Sequence, residues 1–213
     1  MSVSLQKGQK VNLSKDNAGL AKVIVGLGWD EAKPSGGGGG GFFATLFGGG
    51  AATTHQAIDC DASAIMLKNG KFVDRTDLVY FGNLKHKSGT VNHMGDNLTG
   101  EGEGDDEQIV IDLSRVPAEY DKIVIVVNIY QAVQRKQHFG MIENAFIRLV
   151  DARNNKEMCK YNLTENYSGM TAMILGKYID ITVSGNLMRW EMEQPIRGLE
   201  NSAEDFHNPE YWR

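Results

Sequence analysis

The sequence predicts an all-β protein, a β-sandwich of two mainly antiparallel sheets with few short helices. Three features predict it: short apolar runs that alternate with polar residues, one longer apolar run near the middle, and turns rich in Asn, Asp and Gly about every ten residues. The chain has 213 residues, of which 41% are hydrophobic and 23% charged. These values are ordinary for a globular protein and allow a sizeable core.

The first two predicted strands alternate with a period of two. In residues 22–29 one face carries the apolar side chains Val23, Val25, Leu27 and Trp29. In residues 57–67 the face predicted to be buried carries Ile58, Cys60, Ala62, Ala64 and Met66, and the other face carries Asp59, Asp61, Ser63, Ile65 and Leu67. Asp59 and Asp61 therefore lie on the same side of the strand, away from the main core.

The later strands are shorter, with one exception. Residues 122–130 (KIVIVVNIY) are almost continuously apolar, which predicts a central strand buried on both faces. Further strands are predicted at residues 109–113, 146–150, 160–163, 170–175 and 177–183. Residues 114–120 alone predict a helical turn, with Ser114 as its N-cap and Pro117 early in it.

Two segments interrupt this pattern. Residues 34–51 form a glycine-rich insert that holds a small apolar island at residues 42–47. It is interpreted either as a surface loop whose island covers an apolar patch or as a docking loop for a partner protein. The polar residues 198–213 are interpreted as a C-terminal tail, so we expect one domain over residues 1–197.

Charge and cysteine content narrow the function classes. A formal net charge of −5 and a pI near 5.6 disfavour binding to nucleic acid or to an anionic membrane surface, so no nucleic-acid partner is expected. The N-terminal residues lack the apolar region of a signal peptide, and no apolar run is long enough to span a bilayer. We therefore expect a cytoplasmic protein in which Cys60 and Cys159 are reduced and buried.

The most informative segment is an acidic, glycine-rich loop at residues 95–107 (GDNLTGEGEGDDE). Its carboxylates are Asp96, Glu101, Glu103, Asp105, Asp106 and Glu107. Two carboxylates about 5 Å apart repel by roughly 1–3 kcal/mol at effective dielectric constants of about 80 to 20. Four glycines allow tight curvature, which brings these side chains to a common centre and favours a bound cation.

Calcium fits this loop best, because it accepts six to eight oxygen ligands in flexible geometry. Asn97 and Thr99 add neutral oxygens, whereas the His and Cys ligands that zinc prefers are missing from the loop. Leu98 and Gly100 stand where an EF-hand requires oxygen ligands, so the loop is not an EF-hand. Asp59 and Asp61 complete the predicted metal site, with solvent exposure or capping of a strand end as the alternative for both.

Two other functions remain open at this point. The same carboxylates also suit a metal-dependent hydrolase, if the metal keeps an open position beside a pocket. An interaction protein whose acidic loop attracts basic partners would bind them in a salt-sensitive manner without calcium. No G-x-S-x-G motif is present, and the Gly26–Gly28 start of a dinucleotide fingerprint fails at Glu31.

Several stretches together resemble one known family. In order they are residues 3–15 (VSLQKGQKVNLSK), 22–30 (KVIVGLGWD), 59–67 (DCDASAIML), 91–107 (VNHMGDNLTGEGEGDDE), 116–130 (VPAEYDKIVIVVNIY), 137–151 (QHFGMIENAFIRLVD) and 171–178 (TAMILGKY). They resemble the TerD-type tellurium-resistance and general stress-response proteins. The match covers most of residues 3–178. The insert, the loosely matching residues 179–193 with Trp190, and the tail depart from the family.

The resemblance implies a calcium-binding β-sandwich with a pair of Ca2+ ions near the acidic loop. It places the ligands on Asp59 and Asp61 and in the loop from Asp96 to Glu107. It also implies a role in resistance to tellurite and other chemical stress, with no established catalytic activity. The partners it implies are other proteins of a stress-response or tellurium-resistance system, with peripheral membrane association through such partners left open.

Overall fold

The computed structural model describes residues 2–6, 9–12, 18–31, 57–100, 104–163, 169–175 and 189–196. The insert at 34–51, the strand predicted at 177–183 and the tail at 198–213 lie outside these residues. The described strands are β1 (Val3–Ser4), β2 (Lys10–Asn12), β3 (Lys22–Glu31), β4 (Cys60–Leu67), β5 (Leu78–Val79), β6 (Val91–His93), β7 (Glu107–Asp112), β8 (Lys122–Ile129), β9 (Ile142–Asp151), β10 (Lys156–Asn162), β11 (Ala172–Leu175) and β12 (Arg189–Ile196).

These strands form two six-stranded sheets, which confirms the predicted fold class. The first sheet has the order β1-β10-β9-β3-β7-β6, and the second has the order β2-β12-β11-β8-β4-β5. Every neighbouring pair is antiparallel except β1 and β10, which run parallel. The apolar strand β8 lies between β11 and β4 and is buried from Ile123 onward, as the sequence predicts for a central strand.

The main core lies between the two sheets. The first sheet contributes Val23, Val25, Leu27 and Trp29 from β3, and the second contributes the predicted inner face of β4 together with alternate residues of β8. Burial of each large side chain contributes about 1.5–3 kcal/mol. Cys60 and Cys159 are free and buried in this core, as predicted.

The opposite face of the second sheet is also buried, which the alternation in β4 did not predict. Ile65 and Leu67 of β4 belong to a smaller apolar cluster with Val124 and Val126 of β8. Asp59 and Asp61 lie on this face, and they are only 7% and 2% exposed. Their position away from the main core is confirmed, but the alternative of solvent exposure is wrong for both.

Short helical segments join the strands. The helix α1 (Ala132–Arg135) follows β8, and 3-10 turns span Arg75–Asp77, Leu113–Arg115 and Phe139–Met141. The turn predicted at 114–120 therefore begins earlier. Ser114 lies inside it and donates a hydrogen bond to Asp112 instead of capping it. Within the described ranges, no helix has the length and apolar character needed to cross a membrane.

Candidate metal centre

Three of the predicted ligands meet at one end of β4. Asp59 directly precedes β4, Asp61 lies within it, and Asp96 follows β6 of the other sheet. One carboxylate oxygen from each lies within 4.8 Å of the other two. Two oxygens bound to one calcium ion lie at most about 5 Å apart, because each sits at about 2.3–2.6 Å from the ion. The spacing therefore suits a single divalent cation.

A fourth carboxylate, Glu107, lies beside this group at the start of β7. Its Oε2 atom accepts a hydrogen bond of 2.7 Å from the Ala62 backbone N–H, so the side chain joins the two sheets. His93 Nε2 lies 3.4 Å from the same oxygen. The Gly95 N–H donates to His93 Nδ1 at 3.3 Å, which leaves the ring proton on Nε2, facing Glu107. The Ala62 hydrogen bond thus holds Glu107 in place, and His93 lies against the same oxygen.

Burial and mutual repulsion raise the pKa values of these carboxyl groups. The pKa of Asp59 rises to about 6, chiefly through burial and then through the charge of Asp96. Burial raises the pKa of Asp61 to about 9, and the charges of Asp59 and Glu107 add to the rise. Without a cation, Asp61 is therefore protonated at neutral pH. A bound divalent cation would favour the ionised forms of the whole group.

Unpaired oxygen atoms show that a cation would fit this cluster. Asp59 Oδ1 and Glu107 Oε1 are buried without a hydrogen-bond partner. Leaving a buried acceptor unsatisfied costs about 1–3 kcal/mol. Oxygen-only donors in this number suit calcium or magnesium, whereas zinc and copper favour nitrogen and sulfur ligands. The donor set therefore agrees with the ion that the sequence predicts.

Asp105 and Asp106 lie in the same loop, but their hydrogen-bond partners belong to the first sheet and not to the cluster. Asp105 accepts hydrogen bonds from Arg148 at 2.7 and 3.1 Å on the outer face of the first sheet. It lies directly over Gly26, where a β-carbon would overlap its carboxyl group. Asp106 Oδ2 accepts from the Trp29 backbone N–H at 2.9 Å. These two carboxylates anchor the loop to β3 and β9, and their assignment as ligands stays a prediction.

The neutral loop residues support the turn itself. Asn97 Oδ1 accepts from the backbone N–H groups of Thr99 and Gly100, both at 3.2 Å, and its amide donates to Asp106 at 3.1 Å. Gly100 has φ +63 and lies against the Trp29 ring, where no side chain would fit. Asn97 and Thr99 therefore shape the loop. Glu101 and Glu103 lie outside the described residues.

Three residues near the cluster were not predicted from the sequence as part of the site. Asn128 of β8 donates from its amide to Asp61 Oδ2 at 3.2 Å. His93, the last residue of β6, faces Glu107. Arg135 of α1 is close enough to Asp59 to oppose the rise in its pKa. Asn128 had a usable signal, because it interrupts the apolar run of residues 122–130. The sequence gives no comparable signal for Arg135.

Comparison with known proteins gives one consistent result. A family model described as the TerD domain matches residues 1–182. Stress response protein SCP2 of Bacillus subtilis (strain 168) is 59% identical over 174 residues, 82% of this chain and 83% of the relative. Tellurium resistance protein TerD of Serratia marcescens is 44% identical over 178 residues, 83% of each chain.

A solved structure shares the fold. The crystal structure of a homologue of telluride resistance protein from Streptomyces coelicolor A3(2) has a TM-score of 0.61 to this chain, at 20% identity. The likeness covers 84% of this chain and 92% of that chain. At this identity the comparison concerns the architecture of the two sheets alone.

Proposed function

Because this chain belongs to the TerD domain family, we propose that it acts in the response to tellurite and other chemical stress as a calcium-dependent interaction or scaffold module without catalytic activity. Relatives named for tellurium resistance and for stress response support the biological role. The convergence of Asp59, Asp61 and Asp96 from two sheets is the observation that carries the calcium assignment.

Calcium would act on the fold as well as on the loop. Asp96 and Glu107 belong to the first sheet and its loop, whereas Asp59 and Asp61 belong to the second. A cation bound to all of them would hold the sheets together at this end and order the loop surface around Asp96. That surface is where we place the binding of a partner protein of the stress-response system, in the cytoplasm, with any membrane association through that partner.

The two alternatives, a metal-dependent hydrolase and an interaction protein that attracts basic partners without calcium, gain no comparable support. The relatives described above are named for resistance and stress response, and their names state no catalytic activity, so metal-dependent hydrolysis is not proposed. A purely electrostatic interaction surface would need exposed, ionised carboxylates. Asp59, Asp61 and Glu107 are instead buried, and burial raises the pKa of each. Buried carboxylates attract a basic partner poorly but suit an ion.

The test is calorimetric titration of metal-stripped protein with calcium, with magnesium as the competing ion. Asp61→Asn removes a central charge while keeping the side-chain shape and an acceptor for Asn128. Asp74→Asn is the matched control, because Asp74 is exposed and lies outside the cluster, beside the 3-10 turn at Arg75–Asp77. We expect saturable calcium binding, weaker magnesium binding, a loss of at least tenfold in calcium affinity in Asp61→Asn, and no change in Asp74→Asn.

Other results would overturn the proposal in different ways. If the wild-type protein shows no calcium binding, the calcium-dependent module is wrong. If binding persists unchanged in Asp61→Asn, the ion lies elsewhere in the chain. Equal affinity for magnesium and calcium would contradict the choice of ion.

A further inference from the structure

The segment after β8 places a guanidinium beside the carboxylate cluster. The Tyr130 backbone N–H donates to the Asp59 carbonyl at 2.9 Å, and the Gln137 side chain donates to the Ala57 carbonyl at 3.3 Å. Residues 130–137 therefore run along the segment that carries Asp59. Arg135, the last residue of α1, belongs to this segment, and its charge opposes the rise in the pKa of Asp59 that burial and Asp96 cause.

Arg135 is held in place but not neutralised. Its guanidinium lies 4.9 Å from the centre of the Tyr130 ring, and Phe81 meets the same ring edge-on at 5.8 Å. Its Nε atom is buried and donates no hydrogen bond. Among the ion pairs of the residues that the structure describes, none includes Arg135. A buried, unused donor of this kind is costly unless a ligand accepts from it.

We propose that Arg135 and the calcium-loaded carboxylate cluster together bind a small oxyanion. A guanidinium presents a planar set of donors that matches two oxygens of one anion. Calcium takes six to eight ligands, more than one oxygen each from Asp59, Asp61, Asp96 and Glu107, so it can also accept an external oxygen. The inference rests on the proposed function, because without calcium the cluster would repel an anion.

Charge explains why anion binding would depend on calcium. The four ionised carboxylates, Glu107 included, and Arg135 have a formal charge of −4 + 1 = −3, which one calcium ion reduces to −1. Glu107 stands behind the other three, bonded to Ala62 and beside His93. The metal-free site therefore repels an anion strongly, whereas the loaded site carries much less negative charge and presents a cation and a guanidinium. Thermodynamic linkage then requires the anion to strengthen calcium binding by the same factor.

A small oxyanion could come from two sources that share the same chemistry. One is an inorganic oxyanion, for which sodium tellurite and sodium sulfate are the probes. The other is the phosphate group of an organic molecule, for which phenyl phosphate is the probe, because its ring can contact the half-exposed Phe81 and Tyr130. A stronger effect from tellurite or sulfate assigns the inorganic source, and a stronger effect from phenyl phosphate assigns the organic source.

The experiment measures calcium affinity by calorimetry with and without each anion, at matched ionic strength and below the solubility limit of the calcium salt. Arg135→Gln removes the charge, and Arg135→Lys keeps the charge without the forked donors. Arg115→Gln is the control, because Arg115 is an exposed arginine paired with Asp112. Far-UV circular dichroism checks that each variant is folded.

We expect at least one anion to tighten calcium binding about fivefold or more in the wild type and in Arg115→Gln. Arg135→Gln should behave differently. Without any anion, this variant binds calcium more tightly than the wild type does, because a charge that repels calcium is gone. Adding the anion then does not strengthen calcium binding in the variant. Arg135→Lys keeps less than half of the effect.

Two results would overturn the inference while the proposed function stands. The first is normal calcium binding that no anion strengthens beyond chloride. The second is an anion effect that survives in full in Arg135→Gln. Absence of calcium binding in the wild type overturns the proposed function and this inference together.

Discussion

The substitution Asp61→Asn tests the electrostatic description of the site without any ligand. Asp61 is 2% exposed, and its pKa of about 9 lies far above the ordinary aspartate value of 3.8. A carboxyl group whose pKa is raised on folding destabilises the protein as pH increases from the unfolded-state pKa to the folded-state pKa. For Asp61 this window runs from about pH 4 to pH 9. The neutral asparagine side chain removes the effect.

The size of the change follows from linkage. Each group costs at most about 1.4 kcal/mol per pH unit, so the upper limit at about pH 8 is about 5–6 kcal/mol. Buried charges are better solvated than this limit assumes, and we take about 1–3 kcal/mol as the expected gain for metal-free Asp61→Asn. In a chain of this length, that gain raises the melting temperature by about 2–12 °C.

The assay is thermal unfolding of wild type and Asp61→Asn, each with a chelator or with calcium, at about pH 4 and pH 8. Without metal, we expect the variant to be more stable at the higher pH and equal to the wild type at the lower pH. With calcium at about 100 times its dissociation constant, the wild type gains about 2.7 kcal/mol and the variant gains much less. A metal-free variant that is less stable than the wild type at both pH values would refute the reasoning.

Three further predictions follow from the same geometry. Arg148→Gln leaves the nearly buried Asp105 carboxylate without its cationic partner, with Gln108 as a remaining donor, which should cost about 1–3 kcal/mol in a urea titration. An unchanged midpoint would show that the pair contributes nothing. Gly100→Ala places a β-carbon 2.5 Å from Trp29 Nε1 at a φ of +63. The loop should therefore lift from the ring, seen as a red shift of tryptophan emission and weaker calcium binding, and an unaltered spectrum would contradict this contact. Calcium binding should release protons and strengthen as pH rises from about 6 to 8, because Asp61 must ionise. Titrations in two buffers of different ionisation enthalpy measure that release, and identical heats would rule it out.

The strands β3, β4 and β7 to β11 were predictable because their signal is local, whereas β1, β2, β5, β6 and β12 were not predicted. Alternation with a period of two places Asp59 and Asp61 on one side of β4 whatever the rest of the chain does. Their burial was not predictable in this way, because it depends on a second apolar cluster on the outer face of the second sheet. The pattern within one strand shows which side chains share a face. It does not show whether another layer covers that face.

The sequence predicted the acidic loop as a group of oxygen ligands, but it did not predict which partner each carboxylate contacts. The sequence presents Asp105, Asp106 and Glu107 as three equivalent neighbours. In the structure Asp105 pairs with Arg148 across β3, and only the absence of a side chain at Gly26 makes room for it. Glu107 turns instead toward Ala62. Such choices depend on strands far apart in the chain, which spacing within the loop cannot reveal.

The different partners of these carboxylates explain how an ion at this site would stabilise the whole sandwich. Strand β5 pairs only with Ala64 and Ile65, so the Ala62 N–H at the edge of β4 has no strand partner there. Glu107 supplies the acceptor from the other sheet at 2.7 Å. Its pKa is raised by burial, so protonation would weaken this link between the sheets. A cation that keeps Glu107 ionised would strengthen the link. Calcium would then raise the stability of the two sheets together, which hydrogen exchange of the core strands would detect. A site confined to the loop would leave hydrogen exchange in the core strands unaffected.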